Sequence, residues 1–288
     1  MVCVSCAGLL RGSAIETNEV ILRLRETSSI PIEADSICPD RFVSRSQAEI
    51  EALPVLFGRR KTTLGELFTV EGGNSEHIVV EGNLRHVKCI GQGMSQGRIT
   101  IRGDVGMHVG TWMRSGEIIV DGNVDAWAGA HLSGGVVWVH GNAGHMLGAA
   151  YAGETRGMRG GVIIVDGDAG TRAGERMRRG LIAVQGNLGE FAGARMIAGS
   201  LFVFGKLGAR AGAGMKRGTI VALGGTEDSL LPVFQYACSY RPTFMRYYLQ
   251  RLREWGLPVT PKQIEGVFRR YIGDITTLGK GEILVYGP

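Results

Sequence analysis

A segment of about 19 residues occurs seven times in this chain, and each copy carries three glycines at fixed positions. Three clear copies read VIIVDGDAGTRAGERMRRG (162–180), LIAVQGNLGEFAGARMIAG (181–199) and SLFVFGKLGARAGAGMKRG (200–218). The first glycines of the seven copies are Gly82, Gly103, Gly122, Gly141, Gly167, Gly186 and Gly205. Repeats of this length are typical of proteins in which each copy stacks on the one before it. Most of the chain is therefore predicted to be scaffold.

Three positions in the repeat are apolar in every copy. Four and two residues before the first glycine stand Ile78 and Val80, Ile99 and Ile101, Ile118 and Val120, Val137 and Val139, Ile163 and Val165, Ile182 and Val184, and Leu201 and Val203. Residues that stand two apart on a strand lie on the same face, so these pairs predict a buried strand face. Three residues before the third glycine stand Met94, Met113, Leu132, Met158, Met177, Met196 and Met215, which predict an internal ladder.

One short strand per repeat, always entered in the same direction, predicts an all-β fold. We expect a right-handed parallel β-helix of about seven to eight coils, flanked by small α+β segments. Asn or Asp follows the first glycine in six of the seven repeats, where it is expected to form turns and to hydrogen-bond between coils. The fourth repeat has seven extra residues between Gly148 and Gly161. Whether they reach a neighbouring protein is left open.

The flanks divide the chain into three predicted parts. Residues 1–75 form an amino-terminal extension, with strands at 18–26 and 61–73 and a helix that begins at a Ser46-x-x-Glu49 capping box. Residues 76–225 form the repeat region. Residues 226–288 contain an amphipathic helix at 241–255 and a final strand at 281–287, and this segment is expected to cover the last repeat.

Cysteine content and hydropathy favour a cytoplasmic protein. The 288 residues include five scattered cysteines, which do not form a disulfide framework. Residues 1–10 are too short to span a bilayer and lack the basic start of a signal peptide. No run approaches 18 apolar residues, so no membrane association is expected.

Motifs for catalysis and for metal binding are weak. The six histidines share no repeat position or metal-binding spacing, and the Cys3-x-x-Cys6 pair has no second pair to complete a zinc site. Asp121 and Asp125 are a possible pair of acid–base carboxylates, but acidic residues do not gather at one repeat position. We therefore predict no catalytic residue and no metal ligand in this chain.

An apolar row is predicted on the outward face of the strands, three residues before the first glycine. Its large members are Ile119, Trp138, Ile164 and Phe202. A contiguous exposed apolar patch of this kind is typical of a protein interface. The row is therefore predicted to bind a partner subunit, and the alternative is that the chain's own ends cover it.

Basic residues accumulate in the later repeats, in a chain of net charge +5 in which arginine far outnumbers lysine. They are Arg156, Arg159, Arg172, Arg176, Arg178, Arg179, Arg195, Arg210, Lys216 and Arg217. Cations about 5 Å apart on successive coils repel each other unless an anion lies along them, so we predict a polyanion site. A solvated basic face is the alternative. Nucleic acid is not expected, because aromatic residues do not alternate with these arginines in the sequence.

The repeat and its flanks resemble a known family. SQAEIEALPVLFGRRKTTLGELFTVEG (46–72), GMRGG after the insertion, and RRYIGDITTLGKGEI (269–283) are similar to the C subunit of formylmethanofuran dehydrogenase. The segment LLPVFQYACSYRPTFMRYYLQRLREWGLPVT (230–260) resembles the bacterial relative, the C subunit of the formyltransferase/hydrolase complex of methylotrophs. The glycine repeat alone also occurs in the large subunit of glutamate synthase.

The resemblance implies a role in one-carbon metabolism. The bacterial complex transfers a formyl group from tetrahydromethanopterin to methylofuran and hydrolyses it to formate. That chemistry resides in a formyltransferase subunit and a zinc-dependent hydrolase subunit, with a further non-catalytic subunit beside this one. The resemblance assigns no catalytic residue to the C subunit.

The resemblance also implies a ligand for the ten basic residues. Methylofuran-type carriers bear a polyglutamate tail, whose carboxylates suit stacked arginines. Two alternatives stay open at this point. One is a tungsten or molybdenum formylmethanofuran dehydrogenase, and the other is a stand-alone β-helix enzyme or binding module.

Overall fold

The computed structural model describes residues 19–287. These residues are mostly β, with 33% strand and 11% helix. The strands are β1 Glu19–Leu24, β2 Ile32–Glu33, β3 Pro54–Phe57, β4 Arg60–Thr63, β5 Phe68–Glu71, β6 His77–Glu81, β7 Val87–Lys88, β8 Arg98–Arg102, β9 Glu117–Val120, β10 Val136–Val139, β11 Arg159–Val165, β12 Arg179–Val184, β13 Ser200–Val203, β14 Arg217–Ala222, β15 Gln235–Tyr240, β16 Phe268–Gly273 and β17 Lys280–Tyr286. The helices are α1 Pro39–Phe42, α2 Gln47–Glu51, α3 Leu64–Leu67, α4 Thr243–Glu254 and α5 Pro261–Ile264.

A 13-stranded sheet organises the repeats. Its order is β15-β16-β17-β14-β13-β12-β11-β10-β9-β8-β6-β1-β5. The strands from β1 through β6 to β14 and β17 are parallel, and only the pairs β1–β5, β15–β16 and β16–β17 of this sheet are antiparallel. Equivalent residues of successive repeats are paired. Val137, for example, pairs with Ile118 on one side and with Ile163 on the other. The prediction of one strand per repeat is confirmed.

Two further ladders join the repeats away from the sheet. Isolated parallel bridges run from Leu84 through the equivalent residue of each repeat to Thr226. Beside them, the side chain of the Asn or Asp after the first glycine accepts a backbone N–H from the next repeat at 2.6 to 2.8 Å, at Asp104, Asn123, Asn142, Asp168 and Asn187. These bonds satisfy backbone donors at the turns, as the sequence predicted.

The core lies between these ladders. Both apolar strand positions are at most 1% exposed in all seven repeats, and the ladder from Met94 to Met215 is 0% exposed throughout. Glycine is required where successive backbones come close. A Cβ on Gly141 would lie 2.6 Å from the Gly122 carbonyl oxygen. A Cβ added to Gly135, where φ is +81°, would lie 2.6 Å from the methyl carbon of Met113.

The amino-terminal part extends the stack and adds a small sheet. β1 lies parallel to β6, and a four-stranded sheet has the order β4-β3-β2-β7. The predicted capping box is present at α2, where Ser46 and Glu49 bond reciprocally. The predicted strand at 61–73 is wrong in part, because the helical turn α3 interrupts it between β4 and β5.

The carboxy-terminal part contains the predicted helix and final strand. β17 pairs in parallel with β14 and so covers the last repeat. α4 lies instead over the outward row of the sheet, with Met245, Leu249 and Leu252 packed in one cluster with Phe202 and Ile164. Of the helices among residues 19–287, none has the length and apolar character needed to cross a membrane.

Candidate functional site

Two positions in the repeat hold large side chains on a left-handed backbone. At the first, φ lies between +58° and +67° for His108, Trp127, Met146, Arg172, Phe191 and Arg210. At the second, φ lies between +53° and +60° for Trp112, His131, Arg176 and Arg195. A non-glycine residue in this region costs roughly 1–2 kcal/mol. In every repeat before the last, these backbone N–H groups donate to carbonyls of the next repeat, which holds the conformation and aligns the side chains on one surface, the turn face.

Aromatic and imidazole rings occupy the earlier half of the turn face. His108 stacks on Trp127 with ring centroids 5.5 Å apart, and Trp112 stacks on His131 at 3.9 Å and 9°. Tyr151, from the seven-residue insertion, lies 5.1 to 6.4 Å from all four rings. The insertion therefore folds back onto its own chain at this residue.

Burial shifts the pKa of three groups in this aromatic half. It lowers the pKa of His108, and the charge of Lys88 acts in the same direction. It also lowers the pKa of His131. Burial raises the pKa of the Tyr151 phenol. All three groups are therefore neutral at physiological pH, and the rings offer hydrogen-bonding nitrogens rather than positive charge.

Arginine and phenylalanine occupy the later half of the turn face. The guanidinium groups of Arg172 and Arg210 lie 5.6 and 5.3 Å from the ring centroid of Phe191. The expectation that no aromatic residue alternates with these arginines is therefore wrong. Phe191 stands at the same repeat position as both, one repeat from each, and cation–π attraction offsets part of the repulsion between them.

Carboxylates neutralise part of this half. Glu175 lies 3.1 Å from Arg172 and 3.9 Å from Arg176, and Glu190 lies 3.4 Å from Arg210. Glu175 is only 6% exposed, so its charge is held beneath the arginines. The predicted repulsion along Arg172, Arg176 and Arg210 is therefore smaller than the sequence alone suggests.

Basic residues without an ion pair lie where the strands begin, next to the turn face. Arg159 is opposite Arg179 on β11 and β12, and Arg217 is opposite Lys280 on β14 and β17. We call Arg159, Arg178, Arg179, Lys216, Arg217 and Lys280 the strand-start cations. Within residues 19–287, none of the six has an ion pair. In an earlier repeat, Arg98 pairs with Glu117 at 2.7 Å.

Like charges directly opposite on neighbouring strands destabilise a sheet. The strand-start cations are concentrated in the later repeats and in β17. The ten basic residues predicted from sequence all lie in this region: Arg176 is half-buried and the other nine are exposed. Lys280 was missed, because it lies outside the repeats and only the pairing of β14 with β17 brings it there.

The aromatic half was also missed. His108 and His131 do not share a repeat position with each other. His108 and Trp127 do share one, and so do Trp112 and His131. The sequence signal for this cluster is that aromatic residues and histidines, taken together, recur at the same two repeat positions.

The outward row divides into two parts. Ile119 and Trp138 are half-buried and accessible, and the Trp138 indole donates to Asp166 at 3.2 Å. Ile164 is 2% exposed and Phe202 is 1% exposed, because α4 packs over them. The prediction that these two bind a partner subunit is corrected: the chain's own carboxy-terminal segment covers them.

Neither metal ligands nor reactive thiols come together in the described part of the chain. No cluster of His, Cys, Asp and Glu residues suits a metal there. Cys3 and Cys6 lie outside the described residues. Burial raises the pKa of Cys38 to about 12 and that of Cys89 to about 11, so both are uncharged thiols at neutral pH.

A polar cleft of about 400 Å³ lies beside Trp112. Arg114 and Asp40 both line it. The Asp40 carboxylate accepts the Ser95 backbone N–H at 2.9 Å, which fixes its position. The cleft therefore offers both a positive and a negative group next to the aromatic half of the turn face.

Comparisons with known proteins agree with the repeat architecture. The GXGXG motif family model matches residues 86–231. A chain of the formyltransferase/hydrolase complex from Methylorubrum extorquens, solved in complex with methylofuran, superposes with a TM-score of 0.86 at 36% identity, covering 93% of this chain and 100% of that one.

Curated relatives are similar over a shorter stretch. The C subunit of tungsten-containing formylmethanofuran dehydrogenase 2 from Methanothermobacter marburgensis is 38% identical over 98 residues, 32% of this chain and 36% of the relative. The C subunit of molybdenum-containing formylmethanofuran dehydrogenase 1 from Methanosarcina barkeri is 39% identical over 102 residues, 34% of each chain. The chain therefore matches about a third of the length of these two relatives.

Proposed function

The chain belongs to the GXGXG family and is a homologue of the formylmethanofuran dehydrogenase C subunit, and on this premise we propose that it is the corresponding, non-catalytic subunit of a formyltransferase/hydrolase complex. The observation that carries the proposal is the extent of the structural match, which takes in 93% of the chain. The tungsten and molybdenum dehydrogenase relatives match about a third of it. The reaction served is formyl transfer to methylofuran followed by hydrolysis to formate.

The proposed architecture is a right-handed parallel β-helix at residues 76–225, with an amino-terminal extension at 1–75 and a capping segment at 226–288. The strand ladder, the bridge ladder and the turn-face hydrogen bonds support it, because each joins successive repeats at the same positions of the repeat. A winding of this kind gives a rigid rod about 5 Å long per repeat. Such a rod suits a subunit that holds two catalytic partners apart.

The proposed ligand of the basic residues is the polyglutamate tail of methylofuran. Guanidinium groups bind carboxylates through charge-assisted, bidentate hydrogen bonds. The like-charge pair of Arg159 and Arg179 supports an external anion, because neither residue forms an ion pair within residues 19–287. The complex in which the structural neighbour was solved contains methylofuran. The proposed site, the basic region, consists of Arg156, the strand-start cations and the turn-face arginines Arg172, Arg176, Arg195 and Arg210.

The proposed partners are a formyltransferase subunit, a zinc-dependent hydrolase subunit and a second non-catalytic subunit. Ile119 and Trp138 are the proposed contact residues on this chain. The Trp138 indole is held by Asp166, which also contacts His140 Nδ1 at 2.7 Å. An aromatic side chain fixed in this way loses little conformational entropy on binding, and aromatic anchors dominate many interfaces.

The experiment uses the purified complex with the changes Arg172→Glu, Arg176→Glu and Arg195→Glu in this subunit. The expected result is an unchanged set of subunits and a higher apparent KM for the carrier. Arg59→Glu, an exposed arginine outside the basic region, is the matched control and should leave the KM unchanged. An unchanged KM in the triple variant contradicts tail binding, and a wild-type chain that assembles with no partner contradicts the proposed membership of a complex.

A further inference from the structure

The seven-residue insertion is fixed to the repeats at both ends. The Ala150 N–H donates to the Glu175 carbonyl at 3.2 Å, and the Gly157 N–H donates to the Arg176 carbonyl at 2.9 Å. Between them, residues 152–156 are exposed. Tyr151 and the Arg156 backbone both contact His131 of an earlier repeat, so the position of the exposed segment depends on how this imidazole holds it.

Two imidazoles hold Tyr151. Its backbone N–H donates to Nε2 of His131 at 3.0 Å, and its hydroxyl lies 2.8 Å from Nδ1 of His108. A backbone N–H can only donate, so the first bond requires an unprotonated Nε2 on His131. The second bond survives protonation of His108, because a phenol oxygen also accepts. The His131 bond is therefore the one that a proton breaks.

The surroundings of His131 favour its neutral form. The ring is 1% exposed and stacked on Trp112. Burial lowers its pKa and the nearby charge of Arg159 acts in the same direction, while Glu154 and a hydrogen bond with the Arg156 backbone oppose them. Around His108, Lys88 disfavours protonation, and Glu33 and Asp125 favour it. Both rings therefore take up a proton at a lower pH than an exposed histidine does.

We propose that neutral His131 positions residues 151–156 of the insertion beside the strand-start cations, and that its protonation releases them and weakens polyanion binding. This inference rests on the proposed binding of a polyglutamate tail. Loss of the Tyr151 bond loosens the segment that carries Arg156 of the basic region. It also uncovers Trp112, over whose ring the Arg159 guanidinium lies at 5.7 Å. His131 is thus a positioning residue that contacts no ligand itself.

The sign of the pH dependence distinguishes this device from simple electrostatics. A falling pH adds positive charge to histidines, so a basic region without the device binds a polyanion equally well or better at about pH 5.5 than at about pH 7.5. Glutamate side chains, with a pKa of about 4.3, stay mostly ionised over this range. The proposal predicts the opposite, which is weaker binding at the lower pH.

The experiment measures binding of fluorescent poly-L-glutamate to the full chain, together with amide hydrogen exchange of residues 151–157, at both pH values. The wild type should lose exchange protection at the lower pH and bind about two- to fivefold more weakly, the equivalent of one surface ion pair. His131→Gln keeps an acceptor that does not titrate, so it should hold the insertion and bind equally at both pH values. His131→Phe should leave the insertion unprotected at both.

Two results would overturn the proposal. One is wild-type binding and exchange that do not change, or binding that tightens, as the pH falls. The other is a His131→Gln variant that keeps the wild-type pH dependence. If no protein binds poly-L-glutamate at either pH, the proposed tail binding fails. The exchange comparison needs no ligand, and still decides whether His131 holds the insertion.

Discussion

Arg159 and Arg179 lie directly opposite each other at the starts of β11 and β12. Among the residues described, neither arginine forms an ion pair with a carboxylate. Cross-strand like charges cost stability, so the isolated chain is less stable with this pair than with an opposite pair. A like-charge pair of this kind favours the binding of an anion and does not stabilise the sheet.

Arg179→Glu should stabilise the isolated chain and weaken its binding of poly-L-glutamate. The stability gain is expected to be about 0.2–1 kcal/mol, because an opposite-charge pair replaces a like-charge pair. Urea unfolding and fluorescence anisotropy measure the two effects on the same protein. The control Arg59→Glu should change neither, and an Arg179→Glu protein that binds as tightly as wild type would refute the role of this pair.

Phe191→Leu should destabilise the later repeats in a salt-dependent way. Leucine keeps most of the apolar volume but removes the ring that Arg172 and Arg210 share. At exposed sites each cation–π contact contributes about 0.5–1 kcal/mol, so a loss of roughly 1–2 kcal/mol is expected at low salt. Added salt screens the repulsion between the two arginines and should reduce the difference. Equal destabilisation at all salt concentrations would point to packing alone.

Gly141→Ala should destabilise the protein more than Gly153→Ala. A Cβ on Gly141 overlaps the Gly122 carbonyl oxygen, and overpacking of this kind costs typically about 1–3 kcal/mol or more. Gly153, with φ of +87°, has no atom within 4 Å of the added Cβ and carries only the conformational cost of roughly 1–2 kcal/mol. Thermal unfolding compares the two. Equal melting temperatures would contradict the close stacking of the repeats.

Thiol reactivity should separate Cys238 from Cys38 and Cys89. Cys238 is exposed, whereas burial raises the pKa of Cys38 to about 12 and of Cys89 to about 11. The thiolate is the reactive form, and a raised pKa reduces its fraction at every pH below that value. Alkylation followed by peptide mass spectrometry at neutral pH should therefore label Cys238 first. Labelling of Cys38 and Cys89 should increase only in strongly alkaline solution, and equal early labelling would contradict the burial.

Periodicity predicted the repeats well because the same residue type recurs at the same position. Ile118 and Met113 could be placed inside from their columns alone. The cover over Phe202 could not be predicted in the same way, because α4 is distant in sequence and an amphipathic helix does not specify which surface it meets. The aromatic half was missed for a related reason. Tyr151 belongs to an insertion outside the repeat, and no periodicity places it against His108 and His131.

Purification of the tagged chain from its native cell, with identification of its partners and metal analysis, decides whether it belongs to a formyltransferase/hydrolase complex. We expect stoichiometric recovery with a formyltransferase subunit, a hydrolase subunit and one further subunit, together with zinc and without tungsten or molybdenum. Recovery with a tungsten or molybdenum protein, or of the chain alone with formyl-transferring or hydrolytic activity of its own, would contradict the proposed function.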